Sequence, residues 1–212
     1  MTQQDGRAQA LAFTLAVLAG YVDASGFIAL GGFFVSFMSG NSTRMAIGLA
    51  QGSGSAGIAA GLIGAFLCGV ILGALVGHAA RSRRRPAVLA LVAALLAAGA
   101  AASALGAMGA TVTFMALAMG AENNVFERNG EVSIGVTYMT GSLVKLGQRI
   151  VAALVGPDRF GWVPYLGLWT SFVVGAVGGA VSYPHLGLTA LWGAAIVAAL
   201  LALVTWRATA VS

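Results

Sequence analysis

"FMSGNSTRMA", residues 37–46, sets Ser39, Asn41, Ser42, Thr43 and Arg44 between two long apolar stretches, and "YMTGSLVKLG", residues 138–147, repeats its pattern. Tyr138 replaces Phe37, Thr140 replaces Ser39 and Lys145 replaces Arg44, while Met38 and Gly40 return as Met139 and Gly141. The same polar cassette stands twice in a chain that is otherwise short of polar residues. Its reading decides the fold.

The 212 residues are 59% hydrophobic and only 8% charged, with a mean hydropathy of +0.92. A soluble domain carries about 25% charge, and a water-soluble chain this apolar would expose patches it has no means to cover. The composition specifies an integral membrane protein, all-α, with a single transmembrane domain over 1–212. Four of the eleven basic residues lie in "RSRRR" (81–85), between two apolar spans. That placement reads as a cytoplasmic loop under the positive-inside rule. The interleaved basic and aromatic residues of a nucleic-acid surface are absent, so no nucleic-acid partner is expected. The one cysteine, Cys68, excludes an intrachain disulfide and reads as a small buried hydrophobe. His78 and His185 stand at span ends without a second metal ligand at useful spacing, so neither metal nor cofactor is expected. The N-terminal "MTQQDGRAQA" runs straight into a long span and lacks a small-residue cleavage site. The first span is expected to be retained.

A spanning helix needs about 20 mostly apolar residues. That rule gives six spans, near 10–31, 56–79, 87–106, 109–126, 162–182 and 187–206. Two further stretches, near 33–50 and 131–155, are apolar enough to enter the membrane but too polar to face lipid. "GSGSAG" (52–57), Pro86, "GPDRFG" (156–161) and "YPHLG" (183–187) punctuate the spans, with Trp162, Tyr165, Tyr183 and Trp206 at their ends. With 81–85 inside, both termini are cytoplasmic. Full crossings by the two cassettes would give eight spans and an external N-terminus, but Arg44 at mid-span would cost about 2.5–3.5 kcal/mol. Gly69, Gly73 and Gly77, like Gly175 and Gly179, recur at spacing four, which lets helix backbones approach closely. They serve either internal packing or a homo-oligomer interface.

Placing Gly40 on Gly141 sets an offset of 101 residues, at which Val35 meets Val136 and Arg44 meets Lys145. One gap upstream brings Asp23 opposite Asn123, and downstream "FLCGVILGA" (66–74) resembles "FVVGAVGGA" (172–180). The second copy is a half-protein of three spans plus a cassette. Repeat 1 covers about 10–80, with its third helix at about 87–106, and repeat 2 covers about 109–206. Two three-span copies run in opposite directions, an inverted repeat of the kind used by transporters, with sites between the repeats built from broken helices. Each cassette is expected as a broken or re-entrant segment, since irregular backbone at membrane depth survives only inside protein or beside a wet cavity. Gly31–Gly32, Gly40, Gly130 and Gly141 are the expected breaks, and Asn41, Ser42 and Thr43 the expected caps of a half-helix.

"GYVDASGFIALGGFFVSFMSGN" with Arg44, and later "GAENNVFER" and "VTYMTGSLVKLGQ", resemble the YoaK family of small bacterial membrane proteins, from about residue 12 to 205. The resemblance implies a multi-span protein of the bacterial cytoplasmic (inner) membrane and carries no substrate or catalytic residue. Ser39 stands where that family is expected to have Thr.

Intramembrane ionisable residues are expensive and are functional candidates by default. Asp23, in "LAGYVDASGF", is the sharpest, with Asn41, Thr43, Arg44, Asn123 or Lys145 as its expected partner. Glu122 follows, then Tyr138 and Thr140 as groups lining a substrate site. Glu127, Arg128 and Glu131 read as a solvated loop, and Phe27, Phe33, Phe34 and Phe37 as packing. No nucleophile elbow, HExxH or phosphate loop is present, so the chain is not expected to be an enzyme. The expected function is a small-solute transporter or channel-like permease with the bilayer and a small solute as partners. The alternative is a non-transporting scaffold whose cassettes lock the two halves together.

Overall fold

The computed structural model describes residues 6–128, 131–132 and 135–210. Its helices are α1 (Gly6–Ala29), α2 (Met38–Gln51), α3 (Ser55–Ala80), α4 (Arg84–Ala104), α5 (Met108–Glu122), α6 (Met139–Val155), α7 (Val163–Leu186) and α8 (Leu191–Ala210). Two-residue strands β1 (Glu127–Arg128) and β2 (Glu131–Val132) pair antiparallel between α5 and α6. They are a small addition to the all-α expectation. Three helical stretches are long and apolar enough to cross a membrane: Gly6–Ala29, Ser55–Ala104 and Val163–Ala208. The second and third are each a pair of helices joined by a short 3-10 turn, at Arg81–Arg83 and Gly187–Ala190. The protein is a multi-helical transmembrane protein.

The breaks follow from local chemistry. α1 stops where Gly31 and Gly32 take φ of 62° and 109°, a region that L side chains rarely adopt. α7 runs through Pro184 to Leu186 and ends at Gly187, φ 55°. The helix therefore runs into "YPHLG" and stops at its glycine, a Pro in a spanning helix being tolerated where neighbours and local adjustment satisfy the freed carbonyl. Gly40 and Gly141 lie inside α2 and α6 rather than breaking them. Both helices begin at the preceding Met, so the expected caps Asn41, Ser42 and Thr43 fall within α2. Ser42 and Thr43 instead bond back to the carbonyls of Met38 and Ser39 in their own helix, at 2.8 and 3.2 Å. Gly130 lies outside the described residues. Cys68 is exposed on α3 rather than buried.

The helices associate through backbone. A Cβ built on Gly20 of α1 would strike the carbonyl oxygen of Phe172, and would lie 2.9 Å from the nitrogen of Ala176, both on α7. A Cβ on Gly120 of α5 would strike the carbonyl of Phe66 and lie 2.9 Å from the nitrogen of Val70, both on α3. The reverse contacts match as well. Gly175 abuts the Val17 carbonyl and Gly179 that of Tyr21, while Gly69 abuts the Leu117 carbonyl and Gly73 meets Ala121. Gly77 packs on the Arg84 side chain. The spaced glycines are thus used inside the chain, where close approach supplies the dispersion that drives helix association in lipid.

These contacts also fix directions. Along α1, residues 13, 17 and 21 meet 167, 175 and 179 of α7 in the same order, so the two helices run parallel. α3 and α5 run parallel for the same reason. α4 and α8 run antiparallel: Arg83, just before α4, stacks on Trp206 near the end of α8, and Gly99 late in α4 lies near Leu191 at the start of α8. Between these pairs sits a core with Leu15, Val22, Leu89, Leu96, Met115 and Met119 fully buried.

Gly20→Ala and Gly120→Ala are each expected to lower stability by about 1–3 kcal/mol, the usual cost of forcing an extra group into a packed contact. Gly61, with open space around it, is the control: Gly61→Ala should be neutral or stabilising, because Ala is the better helix former. Thermal unfolding of the purified variants in detergent reads the difference. Equal behaviour of the three variants would contradict the close-packed account.

Candidate functional site

After α1 the coil 30–37 turns back alongside the helix it has left. Val35 reaches Gly26, where an added Cβ would lie 2.8 Å from its Cγ1. At that depth the N–H groups of Val35 and Ser36 donate to Asp23 Oδ1, at 2.9 and 2.8 Å. Asn41 of α2 holds the adjacent residue from the other side. Its Oδ1 accepts from the Phe34 N–H at 3.0 Å and its Nδ2 donates to the Phe34 carbonyl at 2.6 Å. Asp23, Ser36 and Asn41 are all buried. The carboxylate and the amide together satisfy the N–H groups of Phe34, Val35 and Ser36 and the Phe34 carbonyl, where lipid or packed protein offers no water.

The second half uses the same device with different chemistry. Asn123 Oδ1 accepts from the Thr137 hydroxyl at 3.0 Å, just before α6, and its Nδ2 donates to the Met119 carbonyl at 3.0 Å. Thr137 stands 101 positions after Ser36, the offset of the cassettes themselves. Neither was singled out in the sequence, although that shared offset was the signal that marks them.

Asp23 therefore does not pair with Asn41, Thr43, Arg44, Asn123 or Lys145. The two backbone N–H groups already satisfy Oδ1 locally, and charge-assisted bonds of this kind are roughly twice as strong as neutral ones. Arg44 turns instead toward the coil, its guanidinium 4.9 Å from the Phe33 ring centre and close against Gly32. Thr43, Thr140 and Lys145 are exposed, as is Tyr138 immediately before α6. The nine candidate residues thus do not converge on one cavity. The aromatic stripe packs as expected: Phe27 lies 4.7 Å from Phe34, and Phe34 lies 5.1 Å from Phe37, edge-on.

Glu122 is wholly buried at the end of α5, and neither of its carboxylate oxygens reaches a hydrogen-bond partner. Beyond it the 3-10 turn Asn123–Phe126 is heavily tied down. Asn124 Nδ2 donates to the Val70 carbonyl at 3.1 Å, Arg84 Nε donates to the Asn124 carbonyl at 3.2 Å, and Arg84 is ion-paired to Glu127. Glu127 is therefore part of a joint with the arginine turn rather than a solvated loop residue. The side chains of Arg128 and Glu131 lie outside the described residues.

Two grooves flank α1. One, of about 280 Å³, lies between α1 and α7, with Gly20, Asp23, Phe27, Phe34, Phe172 and Ala176 among its lining. Asp23 is its single charged group. The other, of about 320 Å³, lies between α1 and α8 beside Tyr21, whose hydroxyl accepts from Ser182 Oγ at 2.9 Å. Among the described residues no three His, Cys, Asp or Glu side chains gather as a metal site would need.

Long apolar helices joined back to back, with a polar coil clasped inside each half, define a polytopic α-helical membrane protein. The chain belongs to the DUF1275 family, described as protein of unknown function, whose model matches residues 11–204. It is similar to a UPF0700 transmembrane protein of Rhizobium meliloti (strain 1021), 35% identical over 194 residues, covering 91% of this chain and 83% of that protein. No solved structure matches.

Asp23→Asn keeps an Oδ1 for both N–H groups and should cost less than about 1.5 kcal/mol, as for a neutral hydrogen bond replacing a charged one. Asp23→Leu strands two buried donors and should cost about 1–3 kcal/mol for each. Thermal midpoints of the two variants in detergent check this, and equal losses would remove Asp23 Oδ1 from its role as the clasp.

Proposed function

We propose that the chain is a small-solute transporter or channel-like permease of the bacterial inner membrane, built from two inverted halves. One observation carries the reading: in each half a buried side chain on or just after the first helix, Asp23 of α1 or Asn123 of the 3-10 turn beyond α5, holds the coil residues that lead into α2 or α6. Non-helical backbone at this depth is characteristic of sites at repeat interfaces. The helix directions support inversion. Since α4 and α8 are antiparallel, and α7 is joined to α8 and α3 to α4 by short turns, α7 runs against α3. α1 follows α7 and α5 follows α3, so α1 and α5 also oppose one another. In this reading there are six crossings, α2 and α6 are re-entrant, and the arginine turn and both termini face the cytoplasm. The stacking of Arg83 on Trp206 supports a shared face for the turn and the C-terminus. The narrower likeness to the YoaK family belongs to the same reading and adds no substrate. The partners are the bilayer and a small solute, and no covalent chemistry is assigned.

A second reading has an observation of its own. Asp23, Asn41 and Asn123 each spend their hydrogen bonds inside their own half, as a purely structural lock would require.

Two measurements separate them. Reporter fusions after residues 83 and 210 should both report cytoplasm, and one near residue 53 should report the outside. An external C-terminus would end the inverted-repeat account. Protein reconstituted in vesicles should then take up a member of a panel of small anions and metabolites, and Phe34→Trp, which fills the α1–α7 groove, should slow that uptake. A panel without uptake, with the topology intact, favours the lock.

A further inference from the structure

We infer that Glu122 is a proton-binding site whose occupancy sets the position of the second cassette. The inference deepens the permease reading, by naming the ion that would drive it, and rests on that reading for its physiological role. Glu122 is fully buried and neither oxygen has a partner, so nothing in the packed structure compensates a charge there. The repeat does not require an acid at this place. Gly20 and Gly120 make equivalent contacts, and Asp23 and Asn123 make equivalent clasps, yet Glu122 stands where the first half has Val22, also fully buried. A valine fills the site in one half, whereas an ionisable group at membrane depth is expensive to keep.

The position gives the acid leverage. Glu122 closes α5 at its change to a 3-10 turn, the turn that carries both asparagines holding the neighbouring elements. The next residue, Asn123, holds Thr137 at the entrance to α6, and the one after, Asn124, holds Val70 of α3. Other charged groups on the elements packed against α5 are engaged or remote from it. Arg84 of α4 is paired with Glu127 beyond the turn, Arg85 lies over Phe126, and Asp23 of α1 is held by its two N–H groups. Tyr21 is bonded to Ser182, and His78 and Cys68 of α3 are exposed. No cation among the described residues reaches Glu122. In the closed arrangement Glu122 keeps its proton. When the turn opens, the O–H bond breaks, the electron pair stays on the carboxylate and water takes the proton. The carboxylate then holds the turn open until it is protonated again.

The test uses the full chain in phosphatidylethanolamine–phosphatidylglycerol vesicles and dicyclohexylcarbodiimide, which modifies protonated carboxyls in apolar surroundings. The adduct is mapped by mass spectrometry. Labelling at Glu122 should fall with pH, approaching tenfold per unit above its midpoint, because only the protonated fraction reacts. In a Cys68→Ala, Ser142→Cys protein, maleimide should reach Cys at the buried 142 position faster as pH rises. Adding Glu122→Gln should leave only the rise that the growing thiolate fraction gives any cysteine, so the ratio of the two proteins' rates should climb with pH. Absence of an adduct at Glu122, or a labelling rate flat in pH, overturns the inference without using any variant. A ratio of the two rates that is flat in pH overturns the coupling to α6. If both expected results hold while no solute moves, the proton site stands and the permease reading fails. If solute moves with Glu122 unlabelled, the permease stands and the proton site fails.

Discussion

The contact of glycine backbone against carbonyl, Gly20 on Phe172 and Gly120 on Phe66, is the constraint on which the rest of the structure depends. Lipid tails are as apolar as leucine, so burial alone gives helices little reason to associate, and close approach with its dispersion energy must supply it. Here the close approach is reciprocal. Each half lends its first helix to the other half's long helix, α1 to α7 and α5 to α3. Neither half is complete alone. The fully buried Leu15, Leu89, Leu96 and Met115 fill the space that this exchange encloses.

Given that frame, the remaining problem is backbone polarity. A coil that re-enters the protein carries N–H and C=O groups with no ladder to join. The first half satisfies them with a carboxylate on Val35 and Ser36 and an amide on Phe34. The second uses Asn123 on Thr137. The chemical difference matters more than the likeness. Asp23 has its polarity answered by two donors, whereas Glu122, displaced by one position from the clasp of its own half, has no such answer. Packing accounts for the one and not for the other.

Much of this was legible in the residues. Hydropathy and turn chemistry placed α1, α3, α4, α5, α7 and α8 within a few residues of their bounds, because a spanning length of about 20 residues is imposed from outside by the bilayer. The duplicated cassette marked α2 and α6, which are continuous helices through Gly40 and Gly141, each entered from non-helical backbone at Phe37 and Tyr138. The partner of Asp23 was not legible, because the sequence names side chains and the donors proved to be backbone N–H groups of Val35 and Ser36. Arg44 invited an ion pair but rests on Phe33 instead, a choice set by which way the coil turns. Glu127 looked solvated because nothing local marks its partner, Arg84, which comes from another helix. The breaks were misplaced at Gly40 and Gly141 because a glycine permits a break without demanding one. The φ of Gly31 and Gly32 shows where the demand lies.

The exchange of first helices also dictates an order of assembly. The clasp on Asp23 is formed with residues only 12 and 13 positions downstream, so it can close while the ribosome is still adding α2. The glycine face of the same helix must wait for Phe172 and Gly175, about 150 residues later in the chain. Between those two moments α1 resides in the bilayer with its polar fold complete and its principal docking face unoccupied. The membrane-insertion machinery therefore meets α1 as a lone guest for most of translation. A truncated chain lacking α7 should present the surface by which quality control recognises unfinished membrane proteins.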